Sequence, residues 1–175
     1  RCSTGPSMSM KLDITGMRRV VSTLEDYRSA VCEVTNGARL SLSIFTPDLE
    51  PLLYDQDGFL EPVKRLVLAR SHGRVRVLIR EPIRAAREGH RFMQMASRLS
   101  SCIVMRCVPA EHRDHPCAYI MSDNKAIAYR PNATRWVGFV EHSDQGIDRR
   151  HIEHFEQAWA RSRVQPELRP TASHG

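Results

Sequence analysis

Imidazoles and thiols crowd the segment from residue 107 to residue 117, and their spacing is the first place to look for chemistry. Cys107, His112, His115 and Cys117 supply four metal-ligating side chains of two types within eleven residues. A metal set can be drawn from them, but no C-x-x-C pair accompanies it. Buried structural thiols are the better reading of cysteines spaced this way, so no metal and no cofactor are expected. His151 and His154 stand three apart and can share a helix face, but no third ligand is evident in the sequence. Asp48, Asp55 and Asp57 fall in one loop, where aspartate is a common turn former. The cations are unusual: of 26 basic residues, 23 are Arg and 3 are Lys, and the formal net charge is +6. Codon usage can produce such an excess, yet a guanidinium is also the better two-pronged partner for phosphate or carboxylate.

Several nucleotide and acyl-transfer chemistries are excluded by what the sequence lacks. Phe45-Thr46-Pro47-Asp48 stands where a G-x-G-x-x-G turn would follow the first strand of a dinucleotide-binding fold. There is no G-x-x-x-x-G-K-[ST] loop and no G-x-S-x-G elbow.

The elements that must carry these residues follow from periodicity. Arg19 to Val21 reads as a short edge strand. Ser22 and Glu25 read as a capping box opening a helix to Asn36, with Leu24, Tyr27, Val31 and Val34 inward. Alternation in Arg39–Phe45 predicts a strand. A helix from Phe59 to Ala69 should bury Leu60, Val63, Val67 and Leu68, and Arg74–Arg80 is the next strand. One helix is expected from Pro82, which suits a first turn, to Leu99. On it Arg84, Arg87, Arg91 and Arg98 fall within an arc of about 60°, a basic face suited to a nucleic-acid backbone or simply to water. His90 sits at its border as a structural residue. Strands are predicted over Cys102–Val108, Cys117–Met121, Ala126–Tyr129 and Trp136–Val140, with a hairpin turn at Ser122–Lys125. A last helix runs from Asp148 to Arg163, with Ile152, Phe155 and Trp159 at core spacing.

The alternation predicts an α/β fold: a mixed, mainly parallel sheet with helices on both faces and antiparallel strands at one side. One domain is expected over 8–165. Arg1 to Ser7 read as a vector-derived addition, and 166–175 as a tail. With 41% hydrophobic and 26% charged residues the chain is of globular type. No run approaches the ~18 apolar residues of a membrane span, and no signal-peptide pattern is present. Five cysteines, odd in number and irregularly spaced, fit a reducing cytoplasm.

The succession from Ala38 to Trp159 resembles a single half of the phospholipase D superfamily. The resemblance rests on the strand–helix order, on Ala118-Tyr119-Ile120-Met121-Ser122-Asp123 followed by Ala126-Ile127-Ala128-Tyr129-Arg130, and on the closing Phe155-x-x-x-Trp159. In that family the motif H-x-K-x4-D-x6-G-S-x-N supplies a His nucleophile and a Lys that holds the phosphate, and two motifs meet at one site. Aligned on His115, this chain keeps His115 and Asn132. Cys117 replaces the Lys, Ser122 the Asp, and Tyr129-Arg130 the Gly-Ser pair. Aligned on Asp123, only the Asp survives. A phosphodiester attacked by His needs cations on its non-bridging oxygens, where charge gathers in the transition state. The resemblance therefore implies the fold, a homodimer, and a catalytically degenerate site that binds a phosphate-containing ligand, a nucleic acid or another anionic partner. Its residual pocket would comprise His115, Cys117, Asp123, Arg130 and Asn132. The alternatives are an active phosphodiesterase or phosphatidyl-transfer enzyme, with His115 as nucleophile and Arg130 in place of the Lys, and a protein-interaction module with a vestigial pocket. Arg130 itself has two readings: a salt bridge, with Asp123 the obvious partner, or a planar fork gripping an anion.

Overall fold

The computed structural model describes residues 17–87, 90–164 and 168. The seven-residue leader lies outside the described residues, as does the expected tail apart from Leu168.

Chain order is β1 (Met17–Val21), α1 (Leu24–Asn36), β2 (Ser41–Thr46), α2 (Pro51–Tyr54), α3 (Asp57–Leu68), β3 (Arg74–Ile79), α4 (Pro82–Ala86), α5 (Arg91–Arg98), β4 (Ile103–Cys107), a 3-10 turn (Ala110–His112), β5 (Ala118–Ser122), β6 (Ala126–Arg130), β7 (Gly138–His142) and α6 (Arg149–Ala160). Among the described residues the strands form one seven-stranded sheet in the order β1-β7-β6-β5-β2-β3-β4. Only β2–β3 and β3–β4 pair in parallel. The other four ladders are antiparallel, so the expected mainly parallel sheet is corrected to a mixed and mostly antiparallel one. The reason is connection length. Helices link β2 to β3 and β3 to β4, as a parallel pair requires, whereas short turns join β5, β6 and β7 into a meander.

Two apolar layers cover the sheet. Val31, Val34, Phe59, Val63 and Phe92 from α1, α3 and α5 pack on one face with Ile44, Val77 and Ile120. Phe155 and Ala158 of α6 pack on the other face with Phe45, Leu78, Tyr119 and Ile127. Helices thus flank both faces. Alternate residues of the strands serve opposite layers, as the period-2 pattern demands.

Local chemistry sets the boundaries. Thr23, not Ser22, caps α1, and its hydroxyl accepts from Asp26 N–H at 3.1 Å. The expected helix from Pro82 to Leu99 is two helices. His90 caps the second through Nδ1, which accepts from Phe92 N–H at 3.1 Å. Leu68, expected inside α3, is 62% exposed, and Leu66 takes the inward position. Asp123 and Asn124 occupy the left-handed region with φ of 55° and 57°, the signature of a tight primed hairpin turn. Gly138 opens β7 where a Cβ would lie 1.9 Å from the carbonyl oxygen of Tyr129, so only glycine permits this close pairing.

Candidate functional site

The segment entering β5 brings His115, Cys117 and Tyr119 to one face by strand alternation, and that face looks onto α6. Arg80, just beyond the end of β3, anchors the segment. Its guanidinium donates to the carbonyl oxygen of Cys117 at 2.8 Å and also to that of His115. On α6, His154 lies among rings: its centroid is 4.5 Å from His115, 5.0 Å from Phe45 and 5.7 Å from His112. Tyr119 Oη and His154 Nδ1 share a hydrogen bond of 2.7 Å. The second ring nitrogen, Nε2, is buried without a hydrogen-bond partner, and so is His112 Nδ1. Burial first, then the neighbouring His115, His112 and His151, hold the His154 imidazole down at about 4, so it is neutral near pH 7. Cys117 Sγ stands 3.9 Å from His115 Nδ1. Burial raises its thiol above the ordinary value, against the pull of Arg80. At neutral pH it is a thiol and supplies no charge where the phospholipase D motif has its Lys.

Arg130 is fully buried. Its guanidinium lies between the rings of Tyr27 and Trp136, at 4.7 and 4.6 Å from their centroids. It donates to Glu50 Oε1 at 2.5 Å and to the carbonyls of Ala133 and Arg135 at 2.9 and 3.3 Å. Burial pushes the Glu50 carboxyl up, and Arg130 pulls it back. The partner is Glu50, not Asp123. Glu50 reaches it from the loop after β2, where Leu49 adopts φ 61° and its carbonyl meets His90 Nε2 at 2.7 Å. A left-handed leucine costs roughly 1–2 kcal/mol, which the surrounding bonds must sustain.

The five-residue pocket drawn from the sequence does not assemble. Asp123 sits at the far end of β5 from Cys117, six residues and roughly 20 Å away along the strand. Its carboxylate accepts from the N–H groups of Arg39, Leu40 and Ser41 at 2.8–2.9 Å and thereby fastens the start of β2. Asn132 Oδ1 accepts from Thr134 N–H and Oγ1–H at 2.9 and 2.7 Å, closing a turn. Among the described residues neither Arg130 nor Asn132 hydrogen-bonds His115.

The basic face of one long helix is likewise split. Arg91 pairs with Asp55 and Asp57 at 2.7 and 2.8 Å, and with Arg98 it borders a cleft between α3 and α5. Arg84 and Arg87 face the other way. With Arg80 and Arg113 they line an open cavity of about 610 Å³, whose wall Glu81, Pro82, Ile83 and Cys107 complete. Arg84 is paired with Asp48 and Glu81. Arg80, Arg87 and Arg113 have no carboxylate partner among the described residues; Arg113 donates only to Val108 O and Cys107 Sγ. Burial pulls Arg80 below its ordinary value, a sign of a cation short of solvent. The four-residue metal set drawn from the sequence also divides. Cys107 belongs to this cavity, while the atoms that converge are those of His115, Cys117 and His154, within 4.8 Å of one another. Arg80 and Arg113 carry no sequence motif. The position of Arg80 at the carboxyl end of a parallel strand was the available signal.

This is a phospholipase D-like fold. The chain is similar to the phospholipase D family member Nuc from Salmonella typhimurium, with 15% identity, a TM-score of 0.59, and 85% of this chain and 97% of that one covered. It is similar to phosphatidylserine synthase from Haemophilus influenzae Rd KW20 at 11% identity and TM-score 0.60, over 86% of this chain and 40% of that one. It is also similar to TrmBL2, an archaeal chromatin protein whose structure shows a novel mode of DNA binding, at 10% identity and TM-score 0.60, over 85% and 54%. The chain thus spans about half of the chromatin protein and less of the synthase. By sequence the chain belongs to the family described as a domain of unknown function, DUF7931, which residues 23–170 match. No curated protein matches it by sequence. Among the described residues no helix is long and apolar enough to cross a membrane.

Proposed function

We propose that this phospholipase D-like domain binds a phosphate-containing ligand without cleaving it, and that the arginine cavity beside the motif position is where it binds. The observation that carries the reading is the convergence of Arg80, Arg87 and Arg113, none with a carboxylate partner among the described residues, on one cavity. Guanidinium groups crowded together repel one another, and an anion between them removes that cost. Arg80 links this cavity to His115 and Cys117 through their carbonyls. Loss of cleavage follows from the chemistry of the motif position. A buried neutral thiol replaces the Lys, and Arg130, the substitute the sequence offered, is enclosed by protein.

Fluorescence anisotropy with a labelled oligonucleotide, competed with pyrophosphate, tests the reading. Arg87→Ala and Arg113→Ala, both at exposed positions, should each weaken binding and lower the salt slope by about one. Hydrolysis of bis(p-nitrophenyl) phosphate should be no faster with the parent than with His115→Ala. Binding that ignores salt and survives both Arg variants refutes the anion site, and His115-dependent turnover refutes the loss of catalysis.

A further inference from the structure

The geometry points to a second site that uses none of these arginines: His115, Cys117 and His154 form a three-ligand binding site for one zinc-type transition-metal ion. Each residue offers one ligand atom, and the three lie within 4.8 Å of one another. In tetrahedral zinc coordination, with bonds of about 2.3 Å to sulfur and about 2.0 Å to nitrogen, ligand atoms stand roughly 3.3–3.6 Å apart. The Sγ–Nδ1 separation of Cys117 and His115 is already 3.9 Å. The widest separation must close by about 1.2–1.5 Å, and His115, exposed in the loop ahead of β5, has room to move.

The surroundings fit a ligand set better than a packed core. His154 Nε2 is buried without a hydrogen-bond partner, a rare state for a polar atom and one that a ligand relieves. In the tautomer that donates from Nδ1 to Tyr119 Oη, the lone pair resides on Nε2. Tyr119, at 2.7 Å, then acts as the outer partner that fixes ring orientation in metal-bound histidines. Two imidazoles and one thiolate select zinc or its chemical neighbours over magnesium or calcium. Binding releases the Cys117 proton to solvent and forms one sulfur–metal and two nitrogen–metal bonds. Three protein ligands leave one tetrahedral corner for water, the pattern of sites that keep an open position. The site would tie α6 to the strand entry of β5, adding metal bonds to the Tyr119–His154 hydrogen bond and the packing that already join them. Cys117 stands where the phospholipase D motif has its Lys, so one replacement removes a phosphate-holding cation and adds a metal ligand.

Cobalt(II) titration of the reduced, chelator-treated full chain tests the proposal. One equivalent should bind with a thiolate-to-cobalt charge-transfer band and tetrahedral ligand-field bands, and zinc should displace it. Cys117→Ser should abolish the charge-transfer band. Exposed His115→Gln, which leaves the core intact, should weaken binding at least tenfold, since even outer-shell partners are worth 10–100-fold. Cys32→Ser, Cys102→Ser and Cys107→Ser should bind as the parent does, and so should Arg87→Ala, which separates this site from the anion cavity. Absence of the charge-transfer band in the parent, its survival in Cys117→Ser, or unchanged affinity in His115→Gln overturns the site.

Discussion

Replacing Glu50 by Gln tests whether Arg130 is a structural cation or a ligand-binding one. The substitution keeps the volume and removes the charge facing a guanidinium that is 0% exposed, while Glu50 itself is 12% exposed. Arg130 keeps two carbonyl acceptors and two aromatic faces but loses its only anion among the described residues. Removing one partner of a buried pair costs about 3–5 kcal/mol, because the survivor is left charged and dry. With a urea slope of about 2 kcal/mol/M, the unfolding midpoint should fall by about 2 M. Arg130→Met provides the contrasting arm, since the carboxyl it strands can take up a proton and a guanidinium cannot lose one. Burial already pushes Glu50 upward, and without Arg130 only the smaller pull of Arg80 opposes it. Its folded value then exceeds the unfolded one of about 4.3, so the folded state holds the proton more tightly. Stability of this variant should therefore be greatest below about pH 4.3 and decline as pH rises through the raised value. The Glu50→Gln variant has no carboxyl at this position, and its own stability should show no such dependence. Urea titrations from pH 4.5 to 8, followed by circular dichroism, read both. A Glu50→Gln midpoint within 0.5 M of the parent, roughly 1 kcal/mol, would refute the enclosed pair. A folded Arg130→Met variant that has lost oligonucleotide binding would return Arg130 to the ligand site.

Asp123→Ala should cost about 1–3 kcal/mol, because it strands three backbone N–H groups at the start of β2, and should leave oligonucleotide affinity unchanged; thermal unfolding and anisotropy together check it. Asp148 caps α6 by accepting from Arg150 N–H at 2.9 Å, and its pairing with Arg150 holds the carboxyl well below the usual carboxylate range. Asp148→Ala should lose about 1 kcal/mol at pH 7. Because the folded value is depressed, that difference is fully present above the ordinary value near 3.9 and fades as pH falls through the folded one. Paired melts at pH 7 and pH 3 measure it.

The sequence makes the elements more legible than their partners. Alternation in Leu40, Leu42 and Ile44 and the 3.6-residue spacing around Val31 and Val34 are local signals, and β2 and α1 formed where those signals fall. The capping hydroxyl was off by one residue because Ser22 and Thr23 are chemically equivalent caps. The arginine stripe failed for a different reason. A helical arc presumes an unbroken helix, and His90 instead begins a new one through its own ring. Sheet direction was misjudged because, besides the local meander, β2 pairs with β5 and β1 with β7 in antiparallel fashion, choices between distant strands that no local pattern encodes. The same limit applies at the site. Arg80 and His154 are far from Cys117 in sequence, and only the crossover after β3 and the packing of α6 bring them to it.

The pairing of β1 with β7 also shapes how the chain acquires its fold. Arg18 meets Glu141 across this edge, 123 residues apart. By a loop-closure argument, joining ends so distant costs about 3 kcal/mol more than closing the four-residue β5–β6 hairpin. A ribosome adding roughly 5–20 residues per second needs about 6–25 s to make the stretch between the two strands. For that interval β1 is an unpaired strand with an exposed edge, and Val20 remains 75% exposed even in the finished sheet. Arg18 and Arg19 flank it with positive charge, which disfavours pairing with another nascent β1 until its own partner emerges.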